Sequence, residues 1–171
     1  TAYHFNNSNA GDGITFSGCT FSGAVRTTHF NCNVHKNVTV DNCTFSSSSC
    51  LTRAVYTSAT TGTCTFTNNT GTVTLPASGY DFCRTTGTTH LVFSNNTLIF
   101  DSNLRSAVYV DTAAQTGDVT IQDNSITLAT ATGACLFVWK GTHATDISGN
   151  TITSTGALAN VVIQVREQTA P

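Results

Sequence analysis

The chain has 171 residues, a net charge of −2 and only 9% charged residues, so it is long enough for one cored domain and lacks the basic footprint of a nucleic-acid binder. Hydrophobic residues make up an ordinary 39%, Met is absent and Thr supplies about a fifth of the chain, so the polar surface must be built from Thr, Ser and Asn. No apolar run reaches the length of a membrane-spanning helix.

Thr, Val, Ile and Phe favour strands, and no stretch carries the 3.6-residue apolar spacing of an amphipathic helix, so the chain reads as all-β. In chain order one unit recurs: Phe16-Ser17-Gly18-Cys19-Thr20-Phe21, Val40-Asp41-Asn42-Cys43-Thr44-Phe45, Phe66-Thr67-Asn68-Asn69-Thr70, Phe93-Ser94-Asn95-Asn96-Thr97-Leu98, Ile121-Gln122-Asp123-Asn124-Ser125-Ile126 and Ile147-Ser148-Gly149-Asn150-Thr151-Ile152. Six copies at intervals of about 24 to 28 residues are the signature of a solenoid, whose units bury their apolar faces only against neighbours.

The apolar residues keep a fixed register. Five residues before each bend residue stand Ile14, Val38, Cys64, Leu91, Val119 and Thr145; three before stand Phe16, Val40, Phe66, Phe93, Ile121 and Ile147. Such alternate positions share one face of a strand. The bend residues are Cys19, Cys43, Asn69, Asn96, Asn124 and Asn150, which predicts an Asn ladder whose amides bond along the stack. Two residues later come Phe21, Phe45, Gly71, Leu98, Ile126 and Ile152; Gly71 departs, and a local slip that brings in Val73 and Leu75 is expected there. A third apolar segment follows at Ala54-Val55-Tyr56, Tyr80-Asp81-Phe82-Cys83, Ala107-Val108-Tyr109-Val110, Cys135-Leu136-Phe137-Val138 and Val161-Val162-Ile163. Seven Cys cannot all pair within the chain, and several replace apolar residues of other copies, so they are read as buried thiols; Cys32 and Cys50 are the one pair worth testing for a bridge.

This repeat resembles the right-handed parallel β-helix of the pectate-lyase-like superfamily, in which an Asn ladder lines a tight turn. The resemblance spans roughly residues 12–166 and implies about six right-handed coils of three short strands, in one domain over residues 1–171. It hosts lyases, hydrolases, bacterial surface passengers and phage tailspikes, so it does not choose a function. Ala2-Tyr3-His4-Phe5 reads as the third segment of a preceding coil and no cap is evident at the other end, which suggests a fragment of a longer chain or ends covered by partners.

In the enzymes of that superfamily catalysis uses Asp clusters with Arg or calcium on the outer face of the third segment's sheet. The matching residues here are Asp81, Arg84, Asp111, Lys140 and Arg166, with Asp81 and Asp111 in successive coils as a candidate acid/base pair. No second carboxylate accompanies either, so a solvated or Arg84-paired carboxylate is the favoured reading. His4, His29, His35, His90 and His143 are scattered; His29, Cys32 and His35 come nearest to metal-ligand spacing, and no metal or cofactor is expected.

If Val55, Val108, Leu136 and Val162 point inward, then Tyr56, Tyr109, Phe137 and Ile163 point outward, joined by Trp139. Such a column marks an interface, and with Asp111 it is also the best glycan-binding groove. The favoured function is accordingly a non-catalytic structural or adhesion protein of a virion, resembling a phage tailspike, fibre or capsid-decoration β-helix. It would act as a homotrimer, with other virion proteins and host cell-surface polysaccharide as partners. The alternatives are a polysaccharide lyase or glycosidase using Asp81 or Asp111, and an autotransporter-type surface adhesin suggested by Phe-x-x-Asn at Phe66 and Phe93. Thr abundance also raises an ice-binding surface, but the Thr residues do not form one regular Thr-x-Thr column across the six coils.

Overall fold

The computed structural model describes residues 5–6, 11–25, 28–31, 36–50, 53–57, 62–74, 81–85, 90–110, 117–131, 135–140, 143–156 and 162–167. They build three parallel sheets, each a wall of a triangular solenoid. The first wall stacks Ile14–Ser17, Val38–Asp41, Thr63–Thr67, His90–Ser94, Val119–Gln122 and Thr145–Ser148. The second wall stacks Thr20–Val25, Thr44–Cys50, Thr70–Thr74, Thr97–Leu104, Ser125–Ala131 and Thr151–Ser154. The third wall has seven strands: Phe5–Asn6, Thr28–Asn31, Arg53–Thr57, Asp81–Thr85, Ser106–Val110, Leu136–Lys140 and Ile163–Glu167.

The bend between the first and second walls needs one residue in the left-handed region. In all six coils that residue precedes the ladder position: Gly18, Asn42, Asn68, Asn95, Asp123 and Gly149, with φ from 52° to 65°. Gly, Asn and Asp are the residues that enter this region most cheaply, so the local chemistry fixes the corner in every coil.

Behind each corner the amides form the expected ladder. Asn69, Asn96 and Asn124 each donate to the next coil's Asn Oδ1 at 2.8 to 3.1 Å. Each also donates to a carbonyl one coil back, from Val40, Phe66 and Phe93, at 2.9 to 3.0 Å. Each Oδ1 in turn accepts the backbone N–H of the preceding coil's ladder residue, beginning with Cys43 to Asn69 at 2.9 Å. The three amides are fully buried and satisfied, the condition under which buried polar groups rigidify a core. Cys43 makes a weaker version of the same rung, its thiol donating to the Phe16 carbonyl at 3.6 Å and the Asp41 carbonyl at 3.3 Å.

The apolar columns stand as read. Ile14, Val38, Cys64, Leu91, Val119 and Thr145 are in register, as are Phe16, Val40, Phe66, Phe93, Ile121 and Ile147. Inside, Phe66 and Phe93 stack with centroids 5.3 Å apart, and Phe82 closes edge-on against Phe45, Phe66 and Phe100. Cys43, Cys64, Cys83 and Cys135 are buried free thiols; burial pushes Cys135 up to about 12, and hydrogen bonding to Cys64 followed by burial raises Cys83. The suggested Cys32–Cys50 bridge lies outside the described residues and side chains.

Two register expectations need correction. Gly71 does not slip: it pairs with Phe45 and Leu98, Val73 is buried, and the irregularity lies between Phe45 and Ser48 on the neighbouring strand. A Cβ on Gly71 would sit 2.0 Å from the Phe45 carbonyl oxygen, at a φ of 128°, so glycine lets two coils approach. Leu75 lies outside the described residues. At the end of the third wall, Ile163 rather than Val162 is aligned with Val108 and Leu136, and Gln164 aligns with Phe137. The cause is a corner at which two consecutive residues are both buried, as at Phe82-Cys83, Ala107-Val108 and Cys135-Leu136, so strict alternation begins one residue later.

Candidate functional site

The third wall carries the residues singled out for chemistry. Its registers place Asn31, Tyr56, Arg84, Tyr109, Phe137 and Gln164 in one column, with Trp139 beside Arg166 and Lys140 beside Glu167. The column is therefore mixed aromatic and polar, where the sequence suggested an apolar one. Tyr109 and Arg84 are half-buried; the side chains of Tyr56, Phe137 and Trp139 lie outside the described set, as does Asp111 entirely.

At the entry end of the wall's middle strands sits a charge pair. Arg105, in the turn between the second and third walls, donates through Nε to Asp81 Oδ1 at 2.9 Å and through its terminal nitrogen to Asp81 Oδ2. Such a two-pronged fork is the strongest common geometry for Arg and carboxylate. The Asp81 side chain is 1% exposed against 34% for Arg105, so the carboxylate is roofed by its partner. Hydrogen bonding to Asp81 raises the Arg105 pKa against the opposing cost of burial. The guanidinium carbons of Arg105 and Arg84 lie 4.1 and 5.4 Å from the Tyr109 ring centroid, within cation–π range.

This arrangement limits the chemistry of Asp81. A general acid or base must reach substrate with an oxygen, and both oxygens here are held by Arg105. The sequence reading gave Arg84 as the candidate partner and overlooked Arg105; the available signal was Asp and Arg one coil apart, 24 residues in sequence. Val110, which precedes Asp111, pairs with Thr85 at the opposite end of the strand from Asp81.

Charge is unevenly distributed among the walls. Of seven Lys and Arg, five lie on third-wall strands or the adjoining turn: Arg53, Arg84, Arg105, Lys140 and Arg166. Only Asp81 and Glu167 among the acids lie on those strands. Elsewhere Asp41 accepts from Thr67 at 2.8 Å and Asn68 at 2.7 Å, which lower its pKa. His90 accepts the Asp118 N–H at 2.9 Å on the exposed edge of the first wall, and His143 is buried; no group of three metal-binding side chains occurs among the described residues. His4, Cys32 and His35, and the side chain of His29, lie outside the described set.

A stack of in-register parallel coils with a corner amide ladder defines the class: a parallel β-solenoid. The family described as "Right handed beta helix region" matches residues 2–160, so the chain belongs to that family and its coils are those of a right-handed parallel β-helix. No curated protein and no solved structure matches the chain. Among the described residues no helix is long and apolar enough to cross a membrane.

Proposed function

We propose that this β-helix is a non-catalytic virion component of the tailspike, fibre or capsid-decoration kind, acting as a homotrimer and contacting host cell-surface polysaccharide through the outer face of the third wall. The observation that carries the reading is the Asp81–Arg105 pair beneath Tyr109: the described carboxylate is spent on holding a cation against an aromatic ring, an arrangement for binding. The five cations on this wall favour acidic sugars, and Tyr109 offers a ring for stacking.

A second reading, a polysaccharide lyase or glycosidase, draws on Arg84 and Arg105 converging at the strand that leads into Asp111. One set of measurements separates the two. Light scattering should give three times the chain mass, and a glycan array should show salt-sensitive binding to carboxylated polysaccharides that is lost in Tyr109→Ala. Cleavage of a bound polysaccharide, abolished by Asp111→Asn with folding intact, would replace the adhesion reading with the enzymatic one. A monomer would remove the trimer.

A further inference from the structure

The second wall carries an outer array that the inward-facing columns conceal. Thr20, Thr44, Thr70, Thr97, Ser125 and Thr151 are in register through all six coils, and all six are exposed. Two residues along each strand stand Ser22, Thr72, Ile99, Thr127 and Thr153, with Ser46 at the equivalent backbone position. Thr-x-Thr itself occurs in two of the six coils, Thr70-x-Thr72 and Thr151-x-Thr153, so the feature that repeats through all six is the hydroxyl column nearest the corner, flanked by a less regular second column. The register irregularities of this wall all fall beyond the first two residues of each strand, so the column nearest the corner is undisturbed.

We propose that this strip binds ice, holding a layer of ordered water on a fixed lattice of hydroxyls and methyls. Neighbouring coils are about 4.8 Å apart and alternate residues about 6.7 Å, a two-dimensional repeat of the same order as the spacing of oxygen rows on the faces of hexagonal ice. Thr is stiff at χ1, so its hydroxyls keep their places, and the amide ladder immediately behind the corner pins the coil spacing. Neither column holds a charge; Asp101 flanks the strip on its far side, accepting the Thr74 hydroxyl at 2.6 Å, and exposed Asp123 flanks it at the corner, two residues before Ser125. The occupant is therefore neutral and periodic. A strip of about 24 by 7 Å offers about 170 Å², far below the roughly 800 Å² per partner that a stable protein interface buries. It also lacks the aromatic platform on which a sugar would stack, which leaves water as the occupant. This inference is independent of the third-wall reading.

The test is thermal hysteresis and ice-crystal shaping by the full chain. The wild type should depress freezing below melting and facet the crystals. Thr97→Tyr, a bulky side chain in mid-strip, should abolish both, whereas Thr15→Tyr on the exposed first wall should retain them; circular dichroism reports folding, and Thr70→Lys repeats the test should Thr97→Tyr fail to fold. Absence of hysteresis in the wild type overturns the proposal, as does equal loss in the Thr97 and Thr15 variants. Retention on cellulose or chitin, or dimerisation through this strip, without any effect on ice also overturns it.

Discussion

Replacing Asn96 by Ala should be among the most damaging single changes to this protein, and the structure gives the size of the effect. Asn96 is fully buried and its side chain takes part in four hydrogen bonds: it donates to the Phe66 carbonyl at 3.0 Å and Asn124 Oδ1 at 2.9 Å, and accepts from the Asn69 backbone N–H at 3.0 Å and the Asn69 amide at 3.1 Å. Asn124 Oδ1 retains the Asn96 backbone N–H, so it is not orphaned. The Asn69 N–H and the Phe66 carbonyl lose the amide, and a buried group left unmatched costs about 1–3 kcal/mol. The expected loss is about 4 kcal/mol, or about 8–16 °C in melting temperature for a chain of this size. Asn95→Gly is the control: Asn95 is exposed at φ 56°, and glycine adopts that geometry freely, so stability should stay within about 0.5 kcal/mol. Urea unfolding followed by circular dichroism compares the three proteins. A loss below about 1 kcal/mol for Asn96→Ala would show that water or relaxation replaces the rung, and would refute the ladder as a source of stability.

Gly71→Val should prevent folding, although five other coils carry an apolar residue or ring at that register, because its Cβ would meet the Phe45 carbonyl; soluble yield and a melting curve check this. Cys43→Asn should add a rung, replacing a thiol contact at 3.6 Å to the Phe16 carbonyl with an amide donor and raising the urea midpoint by an amount worth about 1 kcal/mol. Asp41 has its pKa lowered by Asn68 and Thr67, so its stabilising effect is present above the ordinary carboxylate range and is lost as pH falls through the lowered value; the stability gap between wild type and Asp41→Ala should close on acidification. Of the five described thiols, half-buried Cys19 should alkylate first, with Cys43, Cys64, Cys83 and Cys135 protected until unfolding, as read by peptide mass spectrometry in iodoacetamide.

The interior was legible in the sequence because stacking makes it repeat. Phe16, Val40, Phe66, Phe93, Ile121 and Ile147 had to be alike, each packing on the next, and an Asn that bonds to its own copy recurs in four successive coils from Asn69 to Asn150. The third wall was harder to read: its entry corner buries two consecutive residues in the inner coils, so period-two counting from Val162 set Ile163 out of register with Leu136, although both Val162 and Ile163 are exposed on this outermost strand. The corner residues also explain something the alignment held unread. Gly, Asn or Asp before every ladder position is a φ requirement, not a composition bias.

The outer features were hidden for the opposite reason. Nothing in the stacking of a solenoid obliges an outward residue to repeat, so a binding feature appears as a departure confined to one coil. Asp81 and Arg105 are such a departure: Ser106 holds the position in register with Asp81 one coil later. A search for repeats passes over them, while a search for clustered carboxylates finds Asp81 and offers it the arginine on its own strand, Arg84, in place of Arg105 one coil later. The hydroxyl column was missed differently: Thr-x-Thr does not recur in every coil, whereas a single Thr or Ser directly after each ladder position does. The two outer faces thus divide by kind: an irregular, cationic, ring-bearing face on the third wall suits a ligand with its own shape and charge. The regular hydroxyl strip on the second wall, whose own columns hold no charge, suits an occupant that is itself periodic.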